Sequence, residues 1–203
     1  IELLSTNNQW PLLLVSSRKK YLLKYKKLLI KNKMNLARSI ALEIGKPFWE
    51  SESEVIASIN KIDATIKAFN YRLNFPVQKT NKKIVKTIIK PIGLVSVIGP
   101  FNFPLHIPNS QIIPALLTGN TVVVKPSEYA YQTSKIIEKI WKETFDDISP
   151  PISFCFGGKE TGESVTKHPL TNAVFFTGST NVGKKIEQHC IKTNKLCALE
   201  MGG

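Results

Sequence analysis

From Leu94 onward the chain alternates between two kinds of segment. Short apolar runs occur at Leu94-Val95-Ser96-Val97-Ile98, Thr121-Val122-Val123-Val124, Ile152-Ser153-Phe154, Ala173-Val174-Phe175-Phe176 and Leu196-Cys197-Ala198-Leu199. Most are rich in β-branched or aromatic side chains. Between them lie stretches of helical spacing at 107–118, 129–144, 160–167 and 180–193, the second with Ile136, Ile137, Ile140 and Trp141 on one face. Strands that alternate with helices imply right-handed crossovers, hence a parallel sheet covered on both faces. Ligands of such sheets bind beyond the carboxyl ends of the strands, so the loops after the apolar runs are where function is expected.

The residues before 83 read differently. Leu22, Tyr25, Leu29, Leu36 and Ile40 recur at helical spacing and predict one helix, closed by Gly45-Lys46-Pro47. Val55, Ile59, Ile62, Ile66 and Phe69 predict a second. Glu50, Glu52 and Glu54 fall in its first turns, where negative charge suits the positive end of the helix dipole. Both stripes are read as core packing. Lys83 to Lys90 alternates loosely and predicts an exposed strand ahead of Pro91.

Lysine and arginine number 28 against 15 acidic residues, a formal charge of +13. Such an imbalance fits either a nucleic-acid surface or a lysine-rich solvated one. Only Arg18, Arg38 and Arg72 supply the guanidinium forks that phosphate and base recognition favours. The lysines are spread along the chain, with short runs at Arg18-Lys19-Lys20 and Lys82-Lys83, so a solvated surface without a nucleic-acid partner is expected. Cys155, Cys190 and Cys197 form no C-x-x-C pair and no metal-ligand spacing with the three histidines. An odd, sparse count suits a reducing cytoplasm, and no metal site is expected. No uncharged apolar stretch approaches the ~18 residues of a membrane span. The chain begins at Ile1 and ends at Gly202-Gly203, and it reads as a piece of a longer one.

All five strand ends carry distinctive residues. After the first comes Gly99-Pro100-Phe101-Asn102-Phe103-Pro104, where prolines and a glycine fix the backbone around one amide. Asn102 so held either donates toward a developing oxyanion or closes its own turn. After the second comes Lys125-Pro126-Ser127-Glu128, which either brackets vicinal hydroxyls such as those of a ribose or simply starts a helix. Gly157-Gly158 with Gly162 follows the third. Phe176-Thr177-Gly178-Ser179-Thr180-Asn181-Val182-Gly183 ends the fourth and opens a helix, whose backbone N–H groups can receive a phosphate. The last run leads to Glu200-Met201-Gly202-Gly203, with Glu200 either a general base or a carboxylate on an exposed turn.

In this order the segments G-P-F-N-F-P (99–104), G-N-T-V-V-V-K-P-S-E (119–128), F-T-G-S-T-N-V-G (176–183) and L-E-M-G-G (199–203) resemble the aldehyde dehydrogenase superfamily. Glu43-Ile44-Gly45-Lys46-Pro47 resembles that family's E-x-G-K-P segment, so the likeness covers nearly the whole chain. H-x-P-N at 106–109, G-G-K-E-T-G at 157–162 and Met201 are most similar to its branch acting on N-succinylglutamate 5-semialdehyde.

The resemblance implies an α/β fold with a Rossmann-like parallel sheet (83–203) flanked by helices and preceded by a helical part (1–82). Together these form one incomplete NAD-binding domain over 1–203. It implies NAD as cofactor, a small-molecule aldehyde as substrate and a homo-oligomeric parent. Asn102 would stabilise the oxyanion and Glu200 would act as base. Lys125 and Glu128 would hold the adenosine ribose, and Gly178 and Ser179 the pyrophosphate. Val182 would lie against the adenine and nicotinamide side of the turn. Ile98, Pro100, Phe101, Ser127, Gly158, Gly162, Thr180, Asn181 and Gly183 complete the cofactor-binding set. The family's nucleophilic cysteine, its catalytic domain and its oligomerisation segment lie beyond the residues matched here. The parent is thus expected to oxidise the semialdehyde to N-succinyl-L-glutamate in arginine catabolism. The alternative is a catalytically inactive, truncated dinucleotide-binding fragment.

Overall fold

The computed structural model describes residues 1, 4, 9–73, 75, 77–79 and 83–202. Lys82 and Gly203, singled out above, lie outside the described residues. Three helices come first: α1 (Val15–Lys31), α2 (Lys33–Ile44) and α3 (Phe48–Arg72). A small antiparallel pair follows, β1 (Gln78–Lys79) with β2 (Ile84–Val85). The alternating part then runs β3 (Leu94–Ile98), α4 (His106–Leu117), β4 (Thr121–Lys125), α5 (Tyr131–Thr144), β5 (Ile152–Phe154), α6 (Lys159–Lys167), β6 (Thr171–Gly178), α7 (Thr180–Thr193) and β7 (Leu196–Met201).

β3 to β7 form one parallel sheet in the order β5-β4-β3-β6-β7. The chain builds outward from β3 through β4 to β5, then returns to the other side of β3 with β6. That reversal puts a topological switch point between β3 and β6, and with it a crevice at their carboxyl ends. All five residues of β3 and all five of β4 are buried. Side chains alternate between the faces. Val95, Val97, Val122, Val124 and Ala173 pack with Ile112, Leu116, Ile137 and Trp141 and the N-terminal helices. Leu94, Ile98, Val123, Val174 and Phe176 pack with Val165 of α6 and Ile186 and Cys190 of α7.

The first expected helix is two helices. Asn32 breaks it, its Nδ2 donating to the Leu28 carbonyl at 2.9 Å. The apolar stripe hides the break because Leu29 and Leu36 are seven residues apart, nearly two turns, and stay in phase across it. The expected strand at 83–90 narrows to Ile84–Val85, and both residues are exposed. β6 and β7 run past their apolar cores through Thr171, Asn172, Thr177, Gly178, Glu200 and Met201. Cys155 follows the end of β5.

The N-terminal helices form a second layer outside α4 and α5. Tyr25 stacks on Trp141 with ring centroids 3.6 Å apart, and the Trp10 indole donates to the Leu116 carbonyl at 2.9 Å. The entry to β3 is set by one buried amide, Asn120. Its Oδ1 accepts from the N–H groups of Ile92 and Gly93 at 2.6 and 3.0 Å, and its Nδ2 donates to Ala115 O and Thr118 Oγ1. Asn120→Ala strands these backbone groups, and each unsatisfied one costs about 1–3 kcal/mol. Chemical denaturation should show a loss of about 2–4 kcal/mol with an unchanged m-value. A loss under about 0.5 kcal/mol would contradict the assignment.

Candidate functional site

The carboxyl ends of β3, β4, β6 and β7 open into one cleft of about 1140 Å³. Its floor is apolar, with Ile98, Ile107, Phe176 and Ile186. The β3 loop brings Pro100, Phe101 and Asn102 to it, the β4 loop Lys125, Ser127 and Glu128, and the turn after β5 Gly158 and Gly162. Gly178, Ser179 and Val182 line it from the β6–α7 junction, and Glu200 from β7. Parallel pairing explains the convergence. Ile98 is in register with Lys125 on one side and Phe176 on the other, and Thr177 with Glu200.

Within the cleft the polar groups are locally organised. Lys125, the last residue of β4, is buried, and its Nζ lies 2.8 Å from Glu128 Oε2. The hydrogen bond from Lys125 holds the Glu128 carboxyl below the usual carboxylate range, with help from its own backbone N–H. Gly99 N–H donates to the Lys125 carbonyl at 3.1 Å, tying the first two loops together. Ser127 starts the 3-10 turn Glu128–Ala130, its hydroxyl accepting from Tyr129 N–H. Ser179 begins α7 in an extended conformation and makes no side-chain capping bond. Among the described residues no side chain caps the start of that 14-residue helix, an end that suits an anion.

Three residues of the expected set are placed outside the lining. The Thr180 hydroxyl donates to Gly202 O at 2.6 Å, pinning the start of α7 to the segment after Glu200. Gly183 faces Met201, and a Cβ there would collide with that side chain. Asn181 is exposed on α7. Conversely, sequence reasoning passed over Lys159, Glu163 and Lys167 of α6 and Lys185 and His189 of α7, all of which line the cleft. Their spacing of four residues was the available signal, since it places each set on one helix face. Lys167 donates to Glu163 at 2.7 Å and holds that carboxyl low. Burial and nearby lysines push the His189 imidazole down.

Asn102 and Glu200 are both exposed into this space. None of the cysteines lines it. Burial pushes the Cys155 thiol up, and burial with the adjacent Cys197 pushes Cys190 up to about 11, so neither is a ready thiolate. Among the described residues no group of three or more His, Cys, Asp or Glu could hold a metal, and no helix is long and apolar enough to cross a membrane.

Because the Glu128 carboxyl is depressed, its pairing with Lys125 is complete above the unfolded carboxylate value and is lost as pH falls through the depressed one. In ¹³C NMR titrations, Lys125→Met should raise the Glu128 midpoint toward the usual range. An unmoved midpoint would show that Lys125 is not the cause.

Residues 4–203 match the model of the family described as aldehyde dehydrogenase. Solved structures similar to the chain include HpcC from Thermus thermophilus, with a TM-score of 0.88 at 27% identity, covering 96% of this chain and 38% of that one. An NAD-dependent aldehyde dehydrogenase from Sinorhizobium meliloti gives a TM-score of 0.86 at 27% identity, covering 100% and 40%. Glyceraldehyde-3-phosphate dehydrogenase GapN from Methanocaldococcus jannaschii, complexed with NADP, gives 0.82 at 29%, covering 96% and 43%. The chain thus spans about two fifths of the length of these structures.

Proposed function

Because the chain belongs to the aldehyde dehydrogenase family, we propose that its cleft binds NAD and serves the oxidation of an aldehyde to a carboxylic acid. The observation that carries this reading is the meeting of Asn102, Lys125 with Glu128, Ser179 and Glu200 around one cleft. The residues fit a dinucleotide. The uncapped first turn of α7 suits a pyrophosphate. Lys125 and Glu128, 2.8 Å apart, offer a donor and an acceptor to the ribose hydroxyls. A carboxylate there disfavours a 2′-phosphate, so NAD is preferred over the NADP carried by the GapN structure. Gly158 and Gly162 carry no side chain to fill the neighbouring space.

Bound NAD supplies the hydride acceptor. The chain's own residues do the rest of the assigned work. The Asn102 amide donates to the substrate oxygen as negative charge grows on it. Glu200 takes up a proton from the attacking group. Thr180, through its bond to Gly202 O, fixes the segment that carries Glu200. No covalent step is assigned to Cys155, Cys190 or Cys197, which lie outside the lining.

The substrate proposed is N-succinyl-L-glutamate 5-semialdehyde, giving N-succinyl-L-glutamate in arginine catabolism. It is supported by His106-Ile107-Pro108-Asn109, the Gly157–Gly162 segment and Met201. A homo-oligomeric, cytoplasmic enzyme is proposed with it, the second on the sparse, unpaired cysteines.

In the longer parent proposed to carry the nucleophilic cysteine, Glu200→Gln should lower aldehyde turnover by about 10²–10⁴-fold while NAD affinity, by calorimetry, stays within about twofold. Unchanged turnover would remove Glu200 as the base. Comparison of aldehydes by kcat/KM should rank the succinylated semialdehyde first, and a higher value for an unrelated aldehyde would overturn the substrate assignment.

A further inference from the structure

The turn at Glu43–Pro47 is not among the residues lining the cleft, yet both of its charged side chains hold elements that shape it. Glu43 accepts from the backbone N–H groups of Gln132 and Thr133 at 2.7 and 2.8 Å, capping α5 just after the Lys125–Glu128 loop. Gly45 ends α2 in the left-handed region at φ 79°, and Lys46 follows. The Lys46 side chain is 10% exposed. Its Nζ lies 2.9 Å from Glu54 Oε2 and 3.5 Å from the centroid of the Phe103 ring. The Glu54 side chain is fully buried, and its Oε1 accepts from the N–H groups of Leu105 and His106 at 3.0 and 3.1 Å.

These contacts grip one side of the loop that presents Asn102. Phe103 is its neighbour, and Leu105 and His106 close the loop into α4. The Asn102 side chain itself is exposed and makes no hydrogen bond among the described residues. Its direction is therefore set by the backbone around it, and that backbone is anchored through Lys46 and Glu54.

We propose that Lys46 is a positioning residue for Asn102, acting through the Phe103 ring beneath it and the buried Glu54 carboxylate beside it. The assignment rests on the reading of Asn102 as the oxyanion donor. A buried carboxylate that loses its cation is an uncompensated charge. It relaxes toward water or takes up a proton, and its hold on the Leu105 and His106 amides weakens. A cation over the ring face is attracted to the ring quadrupole and restricts how Phe103 can tilt. An arginine can do both jobs, whereas a methionine fills the same space and does neither.

Amide hydrogen exchange on the whole chain tests the anchor directly. Lys46→Met should speed exchange at Leu105 and His106 by about tenfold or more, with the amides of β3 and β4 unchanged. Lys46→Arg should restore protection. Phe103→Leu keeps the ion pair and should loosen 101–103 alone. Exchange at Leu105 and His106 that stays at wild type in Lys46→Met, or that Lys46→Arg does not restore, overturns the proposal.

The effect on chemistry is read by aldehyde turnover of the same parent enzyme. Lys46→Met should cut kcat about tenfold with KM for NAD within about twofold, and adding it to Asn102→Ala should cost nothing further. Full turnover in Lys46→Met beside a crippled Asn102→Ala removes Lys46 as a positioning residue. Full turnover in Asn102→Ala removes the oxyanion role instead, so the two failures are distinguishable.

Discussion

The fold depends on the parallel pairing of β3 with a neighbour on each side. Parallel strands cannot be joined by a tight hairpin, so every connection must cross the sheet and return. Each crossover helix covers a face, and every strand then ends on the same edge. β3 and β4 are buried at every residue because helices cover them above and below. The reversal of direction at β3 leaves a gap between the loops of β3 and β6, and the cleft opens there. The site thus follows from topology before any particular side chain is considered.

A second constraint comes from the N-terminal helices. They pack on α4 and α5 through contacts such as the Tyr25–Trp141 stack. They also contribute carboxylates to backbone amides at the starts of both helices: Glu54 at Leu105 and His106, Glu43 at Gln132 and Thr133. A negative charge at a helix N-terminus satisfies orphan donors and complements the dipole. The loops that precede these helices are the two bearing Asn102 and Lys125, so a layer remote from the cleft fixes part of its geometry.

Much of this architecture was legible in residue order. The cores of all five strands, and the four crossover helices to within about two residues, follow from apolar periodicity. The membership of Lys125, Ser179 and Glu200 in one cleft follows from the rule about strand ends. What periodicity could not show is polar and tertiary. The break at Asn32 keeps the stripe in phase. The extensions of β6 and β7 run through Thr177 and Glu200, whose polarity does not announce a strand. Glu54 reads as a first-turn dipole partner, whereas the fold buries it against residues 51 and 52 positions away. Lys185 and His189 read as a solvated helix face until α6 is placed beside α7. Local pattern specifies the elements, but long-range polar pairing appears only once they are packed.

The central claim is that the strand-end loops form a single dinucleotide site. Crystals of the chain grown with NAD test it most directly. Difference density should place the pyrophosphate at the first turn of α7, beside Ser179, with a ribose between Lys125 and Glu128. Ordered dinucleotide on any other surface, or this cleft empty at saturating NAD, would contradict the account.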